Sequence, residues 1–145
     1  MRRIAIKETY KDGQVIIKEG GYGEGTYVIL EGKVEITRKV DSGKVRVAVL
    51  GKGDYFGEMS FLDRQPRSAS AVAIGDVQLG LIDKDFLEEE INKTSEDFRI
   101  ILFTLAERLR KTSSLMVHLM TENYKLRLEN EKLKTECKRF ELDNK

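Results

Sequence analysis

Several residue types that usually announce chemistry are nearly missing from this chain. It holds one cysteine, Cys137, one histidine, His118, one proline, Pro66, and no tryptophan. A single cysteine cannot close a disulfide within the chain or build a cysteine zinc site. A single histidine removes His-paired metal chemistry. Charge of one sign is also lacking: 26 Lys and Arg stand against 25 Asp and Glu, interspersed, for a formal net charge of +1. No bulk basic field therefore argues for nucleic acid as a partner. No apolar run approaches the roughly 20 residues a membrane-spanning helix needs, and the N-terminus carries no signal-peptide pattern. With a lone thiol, these absences lead us to expect a cytoplasmic protein with no membrane partner. A chain of 145 residues supports one compact domain.

What is present divides by period. Up to Asp83 the chain shows short alternating or β-branched runs separated by glycines: VIIKEG, TYVILEG, KVEITRKV, KVRVAVLGKG, SASAVAI and VQLGLID. Val34, Ile36 and Val47, Val49 alternate with charged or small partners, as half-buried strands do. Asp41-Ser42-Gly43-Lys44 and Glu31-Gly32-Lys33 both have hairpin-turn chemistry. Strands this short at this spacing predict an antiparallel roll or barrel-like sandwich. From Lys84 the period changes. KDFLEEEINK predicts a short amphipathic helix with Phe86, Leu87 and Ile91 on one side, and Thr94 or Ser95 caps a second helix with Glu96 and Asp97 in its first turn.

That second helix is long, since no Gly or Pro interrupts it from Glu96 to Lys145. With Leu102, Leu109, Met116, Asn123, Asn130 and Cys137 at heptad position a, position d holds Phe98, Leu105, Thr112, Leu119, Leu126, Leu133 and Phe140. A mostly apolar 3-4 repeat over about six heptads predicts a coiled coil, and asparagines at a with leucines at d favour a parallel two-stranded one. Glu122 would meet Arg127 of the partner chain and Glu129 its Lys134. Glu136 opposite Glu141 weakens the far end. His118 falls at an outward position. The alternative is a solvated charged tail.

Two glycine clusters are decoys. GYGEGTYVIL looks like a kinase glycine loop, yet no catalytic loop or metal-binding aspartate follows. GKGDYFG has the wrong spacing for a dinucleotide fingerprint. Both read as turns between strands. No catalytic constellation appears, so no enzyme is expected, and no cofactor or metal.

The stretch FGEMSFLDRQPRSASA carries the chemistry. Within one short connection it brings a carboxylate, Glu58, a guanidinium, Arg67, a hydroxyl, Ser68, and the amides of a short helix opening at Gly57-Glu58-Met59. Those are the parts of a site for a small anion: the fixed fork of an arginine grips phosphate oxygens by charge-assisted hydrogen bonds in a way a lysine cannot. The plainer alternative is a surface ion pair between Arg67 and Glu58.

The stretch resembles the phosphate-binding cassette of the cyclic nucleotide-binding domain family. The resemblance runs from about Thr9 to Ser114 and includes Gly20, Gly32, Gly53, the GKGDYFGE approach and the helical LAERLRKTS segment. It implies an α+β chain: an antiparallel β-roll (double-stranded β-helix, jelly-roll-like), then a short helix, then a long C-terminal coiled-coil helix. The division would be 1–94 for the roll, with the cassette at 56–70, and 95–145 for a long dimerisation helix continuing as parallel coiled coil. The ligand would be cAMP, with cGMP as the alternative. The implied cassette contacts are Phe56, Gly57, Glu58, Met59, Ser60, Arg67, Ser68 and Ala69, with Arg67 and Ser68 on the phosphate and Glu58 on the ribose 2′-hydroxyl. Ile36, Val47 and Leu50 would face the base. Thr112 and Ser113 match the pair that reads adenine in the catabolite-activator branch of the family, Ser113 leaning toward the partner's pocket. Arg108 would hold Glu58. The helix that usually precedes the roll, and the helix-turn-helix domain that follows it in transcription regulators, are not expected here. The resulting expectation is a homodimeric, cytoplasmic, bacterial sensor that passes ligand occupancy to an effector. The alternatives are a coiled-coil scaffold with a vestigial pocket, or a cAMP-responsive transcription regulator cut short.

Overall fold

The computed structural model describes residues 3–41 and 43–143. Two long strands organise it. β3 (Tyr27–Val40) and β6 (Ser70–Ile82) pair antiparallel from Tyr27 opposite Leu81 to Thr37 opposite Ser70. Shorter strands extend the sheet: β1 (Ile4–Tyr10) and β2 (Val15–Ile17) run along β6, and β4 (Gly43–Leu50) and β5 (Tyr55–Phe56) along β3. The inner faces enclose Ile17, Ile29, Val34, Phe56, Ala71, Ala73, Val77 and Leu79. The expected α+β roll, short helix and long helix are the observed architecture.

One expectation fails. Glu31-Gly32-Lys33 is not a hairpin turn, because β3 runs straight through it. The pairing with β6 slips there instead, from Glu31 opposite Gln78 to Lys33 opposite Ile74. Gly32 has φ +89°, and a Cβ on it would collide with the carbonyl oxygen of Asp76. Two residues of β3 there face four of β6, so the extra residues lie in β6 at 75–77, and glycine at 32 leaves room for that bulged backbone beside it. For the same reason SASAVAI and VQLGLID are not two strands; β6 joins them across Gly75. The other expected hairpin, at 41–44, does connect β3 to β4, with Val40 paired to Gly43; Ser42 lies outside the described residues.

This topology creates the span that matters for function. β5 pairs the start of β3, with Phe56 opposite Tyr27, whereas β6 begins opposite Thr37. Residues 57–69 must therefore travel along the roll, and helix α1 (Glu58–Asp63) forms on the way. Helix α2 (Lys84–Asn92) is capped by Asp83, whose carboxylate accepts from the Phe86 N–H at 3.2 Å. Helix α3 (Glu96–Asp143) is capped by Ser95, whose hydroxyl accepts from the Phe98 N–H, while Thr94 donates to the Ile91 carbonyl.

Helix α3 packs on α1 and touches β3. The side it turns to them carries Ala106 and Val117, both buried, and between them Arg110 and Ser113, half-buried. The heptad seam is a different side: Leu105, Leu109, Leu119, Leu126 and Leu133 are exposed. No helix among the described residues is long and apolar enough to cross a membrane.

The bulge gives the first testable expectation. A left-handed residue with a side chain costs about 1–2 kcal/mol, and at Gly32 the added Cβ also collides with backbone. Gly32→Ala should lose at least about 2 kcal/mol in urea unfolding. A variant as stable as the parent would mean that the β6 backbone does not pass that close to Gly32.

Candidate functional site

The site is built around Arg67, which follows Pro66 at the end of the connection from α1. Its backbone is tied to the loop before β3: the Arg67 N–H donates to the Gly21 carbonyl at 2.8 Å, and its own carbonyl accepts from Gly20 at 2.9 Å. Its guanidinium is held as well. Nη1 donates to the Gly57 carbonyl and Nη2 to the Gly25 carbonyl, each at 2.9 Å. The residue is only 9% exposed, and among the described residues no carboxylate forms an ion pair with it. Two carbonyl dipoles orient this charge, but nothing of full opposite charge neutralises it. Burial pulls its pKa below the ordinary arginine value, and Tyr27, Glu58 and Glu24 oppose that pull through their fields. Arginine still stays protonated.

The glycine clusters acquire a role here that the sequence did not signal. GYGEG is a turn before a strand, as expected, but it also forms the wall of the arginine. Gly57, with φ +84°, caps α1 in the left-handed region. A Cβ at Gly57 would lie 2.6 Å from the Gly25 oxygen and 2.8 Å from Arg67 Nη1. Glycine is thus required at 57 by the protein's own close packing.

Glu58 opens α1 half-buried. Desolvation raises its carboxyl pKa, against its own backbone amide and the Arg67 charge. Glu58 and Arg67 are therefore electrostatically aware of each other without being bonded. Ser68 stands beside them, its hydroxyl 4.0 Å from the Met59 sulfur, a weak acceptor. A buried cation, a neighbouring carboxylate and a weakly engaged hydroxyl can together hold a monoanion that also carries a hydroxyl group.

The remaining expected contacts divide. Ala69 is half-buried beside Ser68, and Ile36 and Leu50 pack partly against the core. Val47 falls at the β3–β4 irregularity, between Ala48 opposite Ile36 and Arg46 opposite Thr37. Phe56 is a core side chain, stacked on Tyr27 at 5.3 Å between ring centroids, so it supports the site from behind. Ser60 is buried and lines a polar cavity of ≈ 720 Å³ with Gly23, Gly25, Arg64, Leu81 and Lys84. On a helix successive side chains diverge by about 100°, so Ser60 does not share the direction of Glu58.

On α3, Thr112 lines an apolar groove of ≈ 650 Å³ whose other walls include Val40, Val45 and Met116, and which does not include Arg67. Ser113 is half-buried. Arg108 is exposed, and the arginine of α3 that reaches the cassette is Arg110. Two residues along a helix amount to about 200° of rotation, which is why one arginine faces solvent and the other the cassette. Arg110 donates through Nε and Nη2 to both oxygens of Asp63 and through Nη1 to the Pro66 carbonyl. A second tie lies further on: Arg38 of β3 donates to the Ser114 hydroxyl at 3.1 Å and stands 3.7 Å from Glu19. Sequence reading missed Arg110, Asp63 and Arg38. The available signal was the stripe Ala106, Arg110, Ser113, Val117, whose 4-3-4 spacing marks a second contact side beside the heptad seam.

A β-roll crossed by such a segment, with a carbonyl-held guanidinium at its end and a long helix laid on it, defines a domain for a small anionic ligand. The family model described as cyclic nucleotide-binding domain matches residues 7–94, and the chain belongs to that family. The CRP-like cAMP-activated global transcriptional regulator of Mycobacterium tuberculosis is 35% identical over 109 residues, 74% of this chain and 49% of that protein. The cAMP-dependent protein kinase type II regulatory subunit of Drosophila melanogaster is 40% identical over 72 residues, 50% of this chain and 19% of that one. Among solved structures, the EAL enzyme Bd1971 in its cAMP- and cyclic-di-GMP-bound form superposes with a TM-score of 0.72 at 31% identity, covering 79% of this chain and 31% of that one. The chain spans about half the length, or less, of the curated relatives it matches.

The raised Glu58 pKa has a pH signature. A carboxyl that is harder to ionise in the folded state binds more protons there than when unfolded, so stability falls as pH rises above the ordinary carboxylate value of 4.5. Glu58→Gln should therefore be more stable than the parent at pH 7, and the difference should shrink as the pH falls toward that value and vanish below it. Equal pH dependence in thermal unfolding of the two proteins would refute the desolvation of Glu58.

Proposed function

We propose that this chain is the cAMP-sensing part of a regulator. In this reading the roll, 1–94, binds the nucleotide. The helical region, 95–145, dimerises as a parallel coiled coil, and occupancy is passed to an effector that is either a partner protein or a fused domain. The observation that carries the reading is the buried Arg67 guanidinium, oriented by two carbonyls and lacking a counter-ion among the described residues. A cyclic phosphate supplies that missing negative charge and two acceptor oxygens in one group, with Ser68 adding a donor. Glu58 accepts from the ribose 2′-hydroxyl, as the family resemblance implies, which disfavours a deoxyribose ligand. Ile36, Val47 and Leu50 offer apolar surface to the base, and Thr112 and Ser113 act at its far edge.

The relatives' names include a cAMP-activated and a cAMP-dependent protein, which favours cAMP, and also a cGMP-dependent protein kinase, which keeps cGMP as the alternative. The role is regulatory rather than catalytic, it needs no cofactor or metal, and it belongs in the cytoplasm. Because an EAL enzyme carries a similar roll, the effector can itself be an enzyme. Dimerisation is supported by the exposed leucines of the seam, since burying a leucine side chain stabilises by about 1.5–3 kcal/mol.

Titration calorimetry tests the pocket. Removing one partner of a desolvated, hydrogen-bonded charge pair costs about 2–5 kcal/mol, or roughly 30- to 5,000-fold in affinity. Arg67→Ala should lose cAMP binding on that scale while its circular dichroism spectrum stays unchanged. Parental affinity in the folded variant would sink the assignment.

Sedimentation equilibrium tests the assembly. Asn123 and Asn130 pair with their own copies in a parallel two-stranded seam, so replacing both with Leu should raise thermal stability and admit oligomers larger than dimers. A parent chain that stays monomeric at high micromolar concentration would end the dimer claim.

A further inference from the structure

Arg110 does not belong to the ligand set, yet it has the best-defined contact between the long helix and the cassette. Nη2 donates to Asp63 Oδ1 at 2.8 Å, Nε to Asp63 Oδ2 at 2.5 Å, and Nη1 to the Pro66 carbonyl at 2.9 Å. The pair is largely out of solvent, the Asp63 side chain 9% and that of Arg110 21% exposed. The two grip points have a particular placement. Asp63 is the last residue of α1, and Pro66 immediately precedes Arg67. One guanidinium therefore spans the short link Arg64–Gln65 and fixes both of its ends. The opposite side of Arg67 is fixed by the roll, through Gly20, Gly21, Gly25 and Gly57. Arg67 thus sits between two clamps, one belonging to the sheet and one to α3.

We propose that Arg110 is a positioning residue that makes the anion site depend on where α3 stands, and so links subunit assembly to nucleotide affinity. It lies one residue past Leu109 and two before Thr112, both on the heptad seam, on the same rigid helix. Any rotation or sliding of α3 as the seam closes carries Arg110 with it, and through Asp63 and Pro66 it carries the backbone that presents Arg67. A planar fork satisfying two acceptor groups at once transmits such a movement; an ammonium on a flexible stem does not. By thermodynamic reciprocity, a ligand that prefers one placement of the cassette then strengthens or weakens dimerisation by the factor by which dimerisation changes its own affinity. The linkage rests on the cAMP-binding, dimeric reading; the positioning of the 64–67 backbone does not.

The test has one arm without ligand and one with it. Hydrogen exchange of the amides in the peptide containing residues 64–68 should be faster in Arg110→Ala and in Asp63→Asn than in the parent, with circular dichroism unchanged. Unchanged exchange in both folded variants overturns the positioning role, even if the parent binds no cyclic nucleotide, an outcome that instead refutes the cAMP reading. With cAMP, each variant should bind about tenfold more weakly, and the double variant no more weakly than the worse single one, because one contact is being removed twice. Arg110→Lys keeps the charge and should still behave like Arg110→Ala; parental affinity in the lysine variant would reduce the contact to simple attraction and overturn the proposal. In sedimentation equilibrium, cAMP should shift the dimerisation constant of the parent several-fold and leave that of Arg110→Ala unmoved. An equal shift in both removes the proposed linkage.

Discussion

A guanidinium taken out of water without a counter-ion among the described residues is the constraint on which this structure turns. Burying a charge without full compensation is costly, and the fold meets that cost only in part, with carbonyls from Gly25 and Gly57. At Gly57 any side chain would strike the arginine or the Gly25 carbonyl, so the close approach there requires glycine. The rest of the local architecture serves this arrangement. β5 pairs with the start of β3 at Tyr27, whereas β6 begins opposite Thr37, so the segment between them must cross the roll. Arg67 arrives at the end of that crossing, where the β2–β3 loop waits to receive it.

The long helix answers to two surfaces at once. One side, with Ala106, Arg110, Ser113 and Val117, is committed to the cassette and to β3. The other repeats every seven residues and leaves its leucines exposed in the single chain. A rigid helix with two such sides is well suited to carry information, because a shift on one is a shift on the other. The chain belongs to the cyclic nucleotide-binding domain family and is similar both to named transcriptional and kinase regulators and to an EAL enzyme. The roll is common to these proteins, and their outputs differ.

The periodic features of the fold were legible in the sequence, because they depend on neighbours along the chain. The strand runs, the change of period at Lys84, the cap at the head of α3 and the grouping of Glu58, Arg67 and Ser68 in one short connection all follow from local pattern and side-chain type. Gly32 was misjudged for an instructive reason. Its chemistry is that of a turn, and only the bulged segment of β6 across from it, with the Asp76 carbonyl in the space any added Cβ would need, demands glycine there in a continuous strand. Phe56 and Ser60 belong to the cassette in sequence but point into the core and into a separate cavity, as a strand end and a one-turn helix require.

The sequence by itself determined that a short connection would carry a carboxylate, a guanidinium and a hydroxyl and that a long, unbroken heptad helix would come after it, since both are written in residue types and spacing. Only the tertiary structure decided what surrounds Arg67 and which arginine of α3 touches the cassette. Gly20, Gly21 and Gly25 lie 42 to 47 residues before Arg67 in the chain, and Asp63 and Arg110 are 47 apart. Contacts at such separations depend on how strands bend and on the rotation of a helix about its axis. A rotation of about 200° separates Arg108 from Arg110, and packing alone selects between them.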